Sequence, residues 1–166
     1  MSFQKLLTAM PPELQNEVTE MDTFLKSLRP LKFKRTADKR KINYVAPEHG
    51  VSYAILPTDI KPIQHFGWYY LHDKEANKWY RKTDYLETIL AEIVKTDPTA
   101  AEYIFNSLNE CTQCKVKPCS AISYTHGGKQ KLACYGRVIM SLFHEDFKHV
   151  REFFRQLNTL VTQKEN

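Results

Sequence analysis

Residues 31–55 read LKFKRTADKRKINYVAPEHGVSYAI, and this stretch decides the fold. Apolar or long side chains alternate there with more polar neighbours, and a period of two is typical of half-buried antiparallel strands. The alternating runs are Leu31, Phe33 and Arg35, then Ile42, Tyr44 and Ala46, then Val51, Tyr53 and Ile55. Segments of turn composition, around residues 37–38 and 47–50, separate the runs. The stretch therefore predicts three strands of an antiparallel sheet.

Helical periodicity precedes these strands. Apolar residues recur at spacings of four and three, which places them on one face of a helix. This stripe consists of Leu14, Val18, Met21, Leu25 and Leu28. Pro11 and Pro12 suit the first turn of the helix, where a backbone N–H has no partner in any case, and Pro30 ends it.

The remainder of the chain predicts a second strand pair and then mostly helix. Residues 65–71 and 79–81 are predicted to form the strand pair. A D-x-x-E pattern at Asp84 predicts one helix start, and Asp97 followed by proline predicts another. The sequence His-Gly-Gly-Lys at 126–129 predicts a hairpin turn, since glycine tolerates positive φ. The last helix is predicted to begin near His144, with Phe147, Val150, Phe154, Leu157 and Val161 on its apolar face.

This order of elements predicts one α+β domain over residues 1–166. Its sheet is mainly antiparallel, with an N-terminal helix, two central helices, a C-terminal hairpin and a final helix. Strands and helices do not alternate regularly, which argues against a doubly wound nucleotide-binding fold. A length of 166 residues is ample for one hydrophobic core.

Composition limits the classes of protein that the chain can represent. Hydrophobic residues make up 42% and charged residues 26%, as in ordinary globular domains. No apolar run approaches the ~20 residues that a membrane-spanning helix needs, and the first residues lack the features of a secretory signal. We therefore expect a cytoplasmic protein without a membrane partner. The net charge of +5 permits an anionic partner without requiring one.

All four cysteines of the chain fall in one short segment, at Cys111, Cys114, Cys119 and Cys134. A C-x2-C turn can direct two thiolates at one metal ion, and two further thiols complete a tetrahedron around zinc. Such a closed set of ligands is structural, because no coordination position stays open for water. We therefore predict a structural zinc site in a cysteine-bearing loop and hairpin, residues 109–137.

Three other interpretations of the cysteines remain open. Cys111 and Cys114 can form a thiol-redox pair, in which the charge of Lys115 favours a thiolate. The four can also be free cysteines that pack as small hydrophobic residues, or they can belong to an iron–sulfur site or a disulfide. A reducing cytosol makes structural disulfides the exception.

Aromatic residues are concentrated on the second predicted strand pair. Phe66, Trp68 and Tyr70 share a face by the period of two, and Trp79 lies on the return strand. These four are the candidate residues for binding a small molecule in a concave site. Packing of the same rings in the core is the alternative.

A basic run suggests a different partner. Residues 32–41 contain six cations and a single acid, Asp38. Lys39, Arg40 and Lys41 are candidates for contact with the backbone of a nucleic acid. A solvated turn between two strands explains the same residues without any partner.

The C-terminal half resembles a group of small uncharacterised bacterial proteins. The likeness rests on Y-x-x-x-G-K after the third cysteine, C-Y-G at the fourth, D-F-x-x-V in the closing helix, and the W-Y-R-K-x-D-Y segment at 79–85. It covers about the last 100 residues and implies an α+β part joined to a cysteine-bearing hairpin. The group has no established activity, so the resemblance implies no enzyme class.

Catalytic motifs are weakly represented in the sequence. The chain has no G-x-S-x-G, no H-E-x-x-H and no phosphate-binding glycine loop followed by lysine. We therefore expect a cytoplasmic binding domain rather than an enzyme, with a four-cysteine zinc site and a small-molecule ligand at the aromatic strands. The alternatives are a thiol-redox protein or sensor and a nucleic-acid-binding module.

Overall fold

The computed structural model describes the chain in nine segments. They are residues 2–38, 40–56, 63–69, 72–73, 78–79, 83–110, 122–133, 137–143 and 147–165.

Helices occupy both ends and the middle of the chain. They are α1 (Phe3–Leu7), α2 (Pro12–Ser27), α3 (Thr83–Thr96), α4 (Pro98–Ser107) and α5 (Phe147–Glu165), with a short 3₁₀ turn at Pro47–His49. The strands are β1 (Lys34–Ala37), β2 (Ile42–Ala46), β3 (Val51–Leu56), β4 (Ile63–Tyr69), β5 (His72–Asp73), β6 (Lys78–Trp79), β7 (Ile122–His126), β8 (Lys129–Ala133) and β9 (Arg137–Phe143). These elements confirm the predicted α+β class.

Five strands form the main sheet, in the order β1-β2-β3-β4-β9, and every neighbouring pair is antiparallel. Two further ladders, β5–β6 and β7–β8, are antiparallel pairs. The prediction from the sequence did not include α1 or β9. It also paired residues 65–71 with 79–81, whereas β4 pairs with β3 and β9, and Trp79 pairs with His72.

One face of the main sheet is buried under helices. Tyr44 of β2 lies opposite Tyr53 of β3, and both are almost fully inaccessible to solvent. The Phe154 ring of α5 packs edge-on against Tyr53, with ring centroids 5.3 Å apart, and against Phe33 at 5.4 Å. The stiff aromatic rings thus join the sheet to α5, within the hydrophobic core.

Local signals identified several element boundaries correctly, but the first predicted strand run, Leu31 to Arg35, lies mostly before β1, which begins at Lys34. Pro12 starts α2, and the Asp97 carboxylate accepts a hydrogen bond from the Ala100 N–H at the start of α4. Helix α3 begins at Thr83, so Asp84 lies in its first turn rather than at the predicted cap. The predicted apolar face of α5 is buried at all five positions. No helix in the described segments combines the length and apolarity that a bilayer crossing requires.

Candidate functional site

The four cysteines lie in residues 111–121 and 134–136, outside the described residues. The zinc site at Cys111, Cys114, Cys119 and Cys134 therefore stays a prediction. Across the described segments, no group of three or more His, Cys, Asp or Glu side chains is arranged to hold a metal ion.

Described residues that flank the cysteine segment contact one another near the end of α4. Leu108, three residues before Cys111, forms an isolated β-bridge with Met140 of β9. The Lys131 ammonium of β8 donates hydrogen bonds to the carbonyl oxygens of Asn106, at 2.6 Å, and Leu108, at 3.2 Å. These carbonyls belong to the end of α4, where backbone acceptors lack partners within the helix and attract a cation.

The hairpin β7–β8 turns through two glycines and packs against α4. Gly127 and Gly128 have φ of 55° and 74°, as a type I′ turn requires at both central residues. Tyr124 of the hairpin is only 1% exposed. The His126 ring lies 5.5 Å from the Phe105 ring of α4, and the Lys131 ammonium lies 5.5 Å from the centre of the same ring. Contacts from both strands therefore hold the hairpin in place on the helix.

The register places two of the aromatic candidates beside core residues. Phe66 lies opposite Tyr53 on one side and Met140 on the other, while Trp68 lies opposite Val51. Tyr53, Val51 and Met140 are all buried, so this row of the sheet is the one that faces the helices. Ligand contact and core packing both stay predictions for these aromatic residues. Trp79 pairs with His72 in the separate β5–β6 ladder, and Tyr70 lies outside the described residues.

The basic run includes β1, and its last residues, 38–41, connect β1 to β2. The Asp38 carboxylate accepts hydrogen bonds from the backbone N–H groups of Arg40, at 2.8 Å, and Lys41, at 3.1 Å. The Arg40 hydrogen bond is the main reason that the pKa of the Asp38 carboxyl lies below its ordinary value. Arg40 and Lys41 are exposed, and Lys39 lies outside the described residues. A nucleic-acid role for these three cations stays a prediction.

A buried carboxylate, Asp22, lies between α2 and the sheet. It was not among the residues predicted from the sequence to be functional. Asp22 is 7% exposed and accepts hydrogen bonds from Lys26 at 2.8 Å, Arg35 at 2.7 Å and the Tyr44 hydroxyl at 3.0 Å. Burial, and then the nearby Asp22 charge, raise the pKa of Tyr44 well above its ordinary value. The Arg35 guanidinium also lies 3.9 Å above the Phe3 ring of α1. This cluster connects α1 and α2 to the first two strands.

Comparisons of the chain with protein-family models, with curated proteins and with solved structures give no match. The resemblance to the bacterial cysteine-hairpin group therefore stays a prediction.

Proposed function

We propose that the chain is a cytoplasmic, non-enzymatic α+β binding domain in which zinc, bound by Cys111, Cys114, Cys119 and Cys134, stabilises residues 109–137. The observation that carries the proposal is the contact of Lys131 with the Leu108 carbonyl, 3.2 Å long. It joins the chain just before the first cysteine to the strand that leads to the last one.

Covalent reach supports convergence of the thiols. Cys111 follows Leu108 by three residues, and Cys134 follows Lys131 by three residues. Three residues span at most about 11 Å, so both chains can reach a common centre near this contact. Cys119 precedes Ile122 by three residues, and Ile122 pairs with Ala133, the neighbour of Cys134. All three approaches to the cysteine segment thus begin in one part of the structure.

The chemistry of the donor set fits zinc. Four thiolates suit a tetrahedral, structural ion, which would act as a cross-link between the loop and the hairpin. Lys131 and Arg137 place positive charge near the last cysteine in the sequence, and Lys115 and Lys117 place it between the first three. This positive charge offsets part of the negative charge of four thiolates around one divalent ion.

Metal analysis combined with thiol counting tests this proposal. Protein purified without chelator is expected to contain one zinc per chain, with four thiols that react only after the metal is removed. Cys134→Ser is expected to lower the zinc content and the Tm. Thr125→Ala changes an exposed residue of the same hairpin and is the control that leaves both unchanged. Absence of zinc refutes the proposal; two fast-reacting thiols would then indicate the redox pair Cys111 and Cys114.

The proposed ligand is a small molecule that contacts Phe66, Trp68, Tyr70 or Trp79. The chain has only two tryptophans, and both are in this set, so tryptophan fluorescence reports on it directly. Acrylamide quenching of a Trp79→Phe variant measures the accessibility of Trp68 alone, and Trp68→Phe does the same for Trp79. Efficient quenching supports an open binding face. Emission that resists acrylamide in both variants would mean that the rings fill the core.

A further inference from the structure

The side of β1, β2 and β3 that points away from the core is open to solvent. Its residues are exposed or half-buried, whereas Tyr44 and Tyr53 on the other side are buried. The register aligns these residues in two rows across the strands. The rows are Lys34, Val45 and Ser52, and Thr36, Asn43 and Ala54. We call this surface the open face.

Positive charge dominates the part of the chain that forms the open face. Residues 31–56 contain six cations and two acids, Asp38 and Glu48. One of the six cations, Arg35, is on the other side of the sheet, where it pairs with the buried Asp22. Glu48 lies in the 3₁₀ turn that follows β2, so Asp38 is the one acid within the basic run itself.

Three exposed cations of the run are available to an external partner. They are Lys34 of β1 and Arg40 and Lys41 of the turn. Within the described segments, none of these three side chains forms an ion pair with a carboxylate. The Asp38 carboxylate instead accepts hydrogen bonds from the backbone N–H groups of Arg40 and Lys41. The cations therefore outnumber the acid, and their side chains remain free to contact an anion.

The cations are spread along the direction of the strands. Lys41 lies opposite Asp38, because the Asp38 N–H donates a 3.1 Å hydrogen bond to the Lys41 carbonyl. Asp38 follows Lys34 by four residues, which corresponds to about 13 Å along a strand. Lys34 and Lys41 thus lie towards opposite ends of the β1–β2 ladder, and Thr36 and Asn43 lie between them. The surface combines separated cations with side chains that donate hydrogen bonds.

We propose that the open face binds single-stranded nucleic acid through its phosphates, without sequence preference. Lysine and arginine neutralise phosphates, and the Thr36 hydroxyl and Asn43 amide are donors of the kind that contact phosphate oxygens. An open sheet face suits a polymer better than a small molecule, whose sites are concave. The proposal is independent of the zinc site, because no residue of the open face belongs to the cysteine segment.

The geometry favours a single strand over duplex DNA. Five strands about 4.8 Å apart measure roughly 19 Å across, which is too wide for the major groove of about 12 Å. The backbone of a single strand is flexible, so its phosphates can move to meet cations that are fixed on the sheet.

The composition of the open face argues against a membrane surface. Membrane-binding surfaces insert several large apolar side chains between the lipids. Within β1 to β3, which the structure describes completely, Val45 is the only large apolar residue that is exposed. The charge of this face therefore has no matching apolar area to insert.

Fluorescence anisotropy with a labelled oligothymidylate of about twelve nucleotides tests the proposal. Three phosphate contacts predict a slope of about −2 in log K against log[salt], so that affinity falls roughly 15- to 20-fold between about 50 and about 200 mM salt. The variant K34Q/R40Q/K41Q is expected to bind at least about ten-fold more weakly at the lower salt concentration, with less than half of that slope. Failure of the unchanged protein to bind at about 100 μM in low salt would overturn the proposal.

The matched control K95Q/K129Q/K148Q removes the same charge from exposed positions on α3, β8 and α5. It is expected to bind within about two-fold of the unchanged protein. Equal losses in the two triple variants would mean a general attraction of anions to a basic protein, and would overturn the proposal.

A single variant and two other probes complete the test. Lys34 is exposed, so Lys34→Gln leaves the fold intact and is expected to weaken binding by about two- to three-fold. Tighter binding to a DNA duplex of equal length, or to vesicles that contain phosphatidylserine, would overturn the assignment to a single strand. Zinc content, measured on the same samples, is expected to be the same in every variant.

Discussion

The Arg35 guanidinium lies 2.7 Å from the Asp22 carboxylate, although the two residues belong to different elements of the fold. Arg35 is the third cation of the basic run at residues 32–41. Its side chain is turned towards the helical layer, where it also covers the Phe3 ring. The run thus contributes one of its charges to the interior of the protein, and fewer cations remain for an external partner.

Asp22→Asn is expected to destabilise the protein by about 2 kcal/mol. The substitution keeps the shape of the side chain but removes the charge that Arg35 and Lys26 share, and it weakens the bond from Tyr44. The partial exposure of Lys26 and Arg35 keeps the loss below that of a fully buried pair. Urea denaturation at pH 7 measures it.

Glu92→Gln is the matched control for Asp22→Asn. Glu92 also pairs with a lysine on its own helix, Lys95, but both side chains are largely exposed. The control is expected to change the free energy of unfolding by no more than about 0.5 kcal/mol. Similar values for the two variants would show that burial of Asp22 contributes nothing.

Stability is expected to fall as the pH rises above about 10, and Tyr44 is expected to account for part of the fall. The pKa of Tyr44 is raised in the folded protein by burial and by Asp22. An unfolded chain therefore loses the phenolic proton at lower pH than the folded chain does, which favours unfolding as the pH rises. Stability below the unfolded pKa is unaffected by this titration.

Denaturation of the unchanged protein and of Tyr44→Phe at pH 8 and pH 10.5 measures this effect. The variant lacks the titrating hydroxyl, so its loss of stability between the two pH values is expected to be smaller. Burial also raises the pKa of Tyr53. Tyr53 is therefore expected to contribute to the loss of stability in both proteins. Identical losses would contradict the role of Tyr44.

Lys131→Met is expected to loosen the hairpin without unfolding the domain. Methionine retains the apolar stem beside Phe105 but donates no hydrogen bond to the Asn106 and Leu108 carbonyls. A loss of about 1 kcal/mol corresponds to roughly five-fold faster amide exchange in β7 and β8. Exchange in β2 and β3 serves as the internal control and is expected to stay unchanged. Equal acceleration in both regions would argue that the contact stabilises the whole fold.

Gly128→Ala is expected to cost about 1 kcal/mol through backbone strain alone. Gly128 has φ of 74°, and an added Cβ would meet no atom within 4 Å, so crowding does not contribute. Gly128→Asn is expected to cost less, because asparagine adopts positive φ more readily. Thermal denaturation of both variants tests the order, and an asparagine variant less stable than the alanine variant would contradict it.

Features that depend on neighbouring residues could be predicted from the sequence. The cap at Asp97 and the turn at Gly127 and Gly128 act within four residues of the chain, and both were identified correctly. The stripe through Val18, Met21 and Leu25 likewise indicated which face of α2 is buried.

Features that depend on distant segments could not be predicted in this way. β9 lacks a clean alternation of apolar and polar residues. In the sequence, α3, α4 and the β7–β8 hairpin separate it from its partner β4. In the sequence, Asp22 is a polar residue next to an apolar stripe. Its partners Arg35 and Tyr44 come close to it only because α2 packs on the sheet.

β9 is translated long after its partner β4, and this order affects folding during synthesis. Strands β1 to β4 leave the ribosome well before residues 137–143, so β4 emerges with one unpaired edge. Such an edge offers its N–H and C=O groups to any extended neighbour until its own partner is translated. Nascent chains are therefore most exposed to aggregation in this interval, and slower translation between β4 and β9 is expected to lower the yield of folded protein.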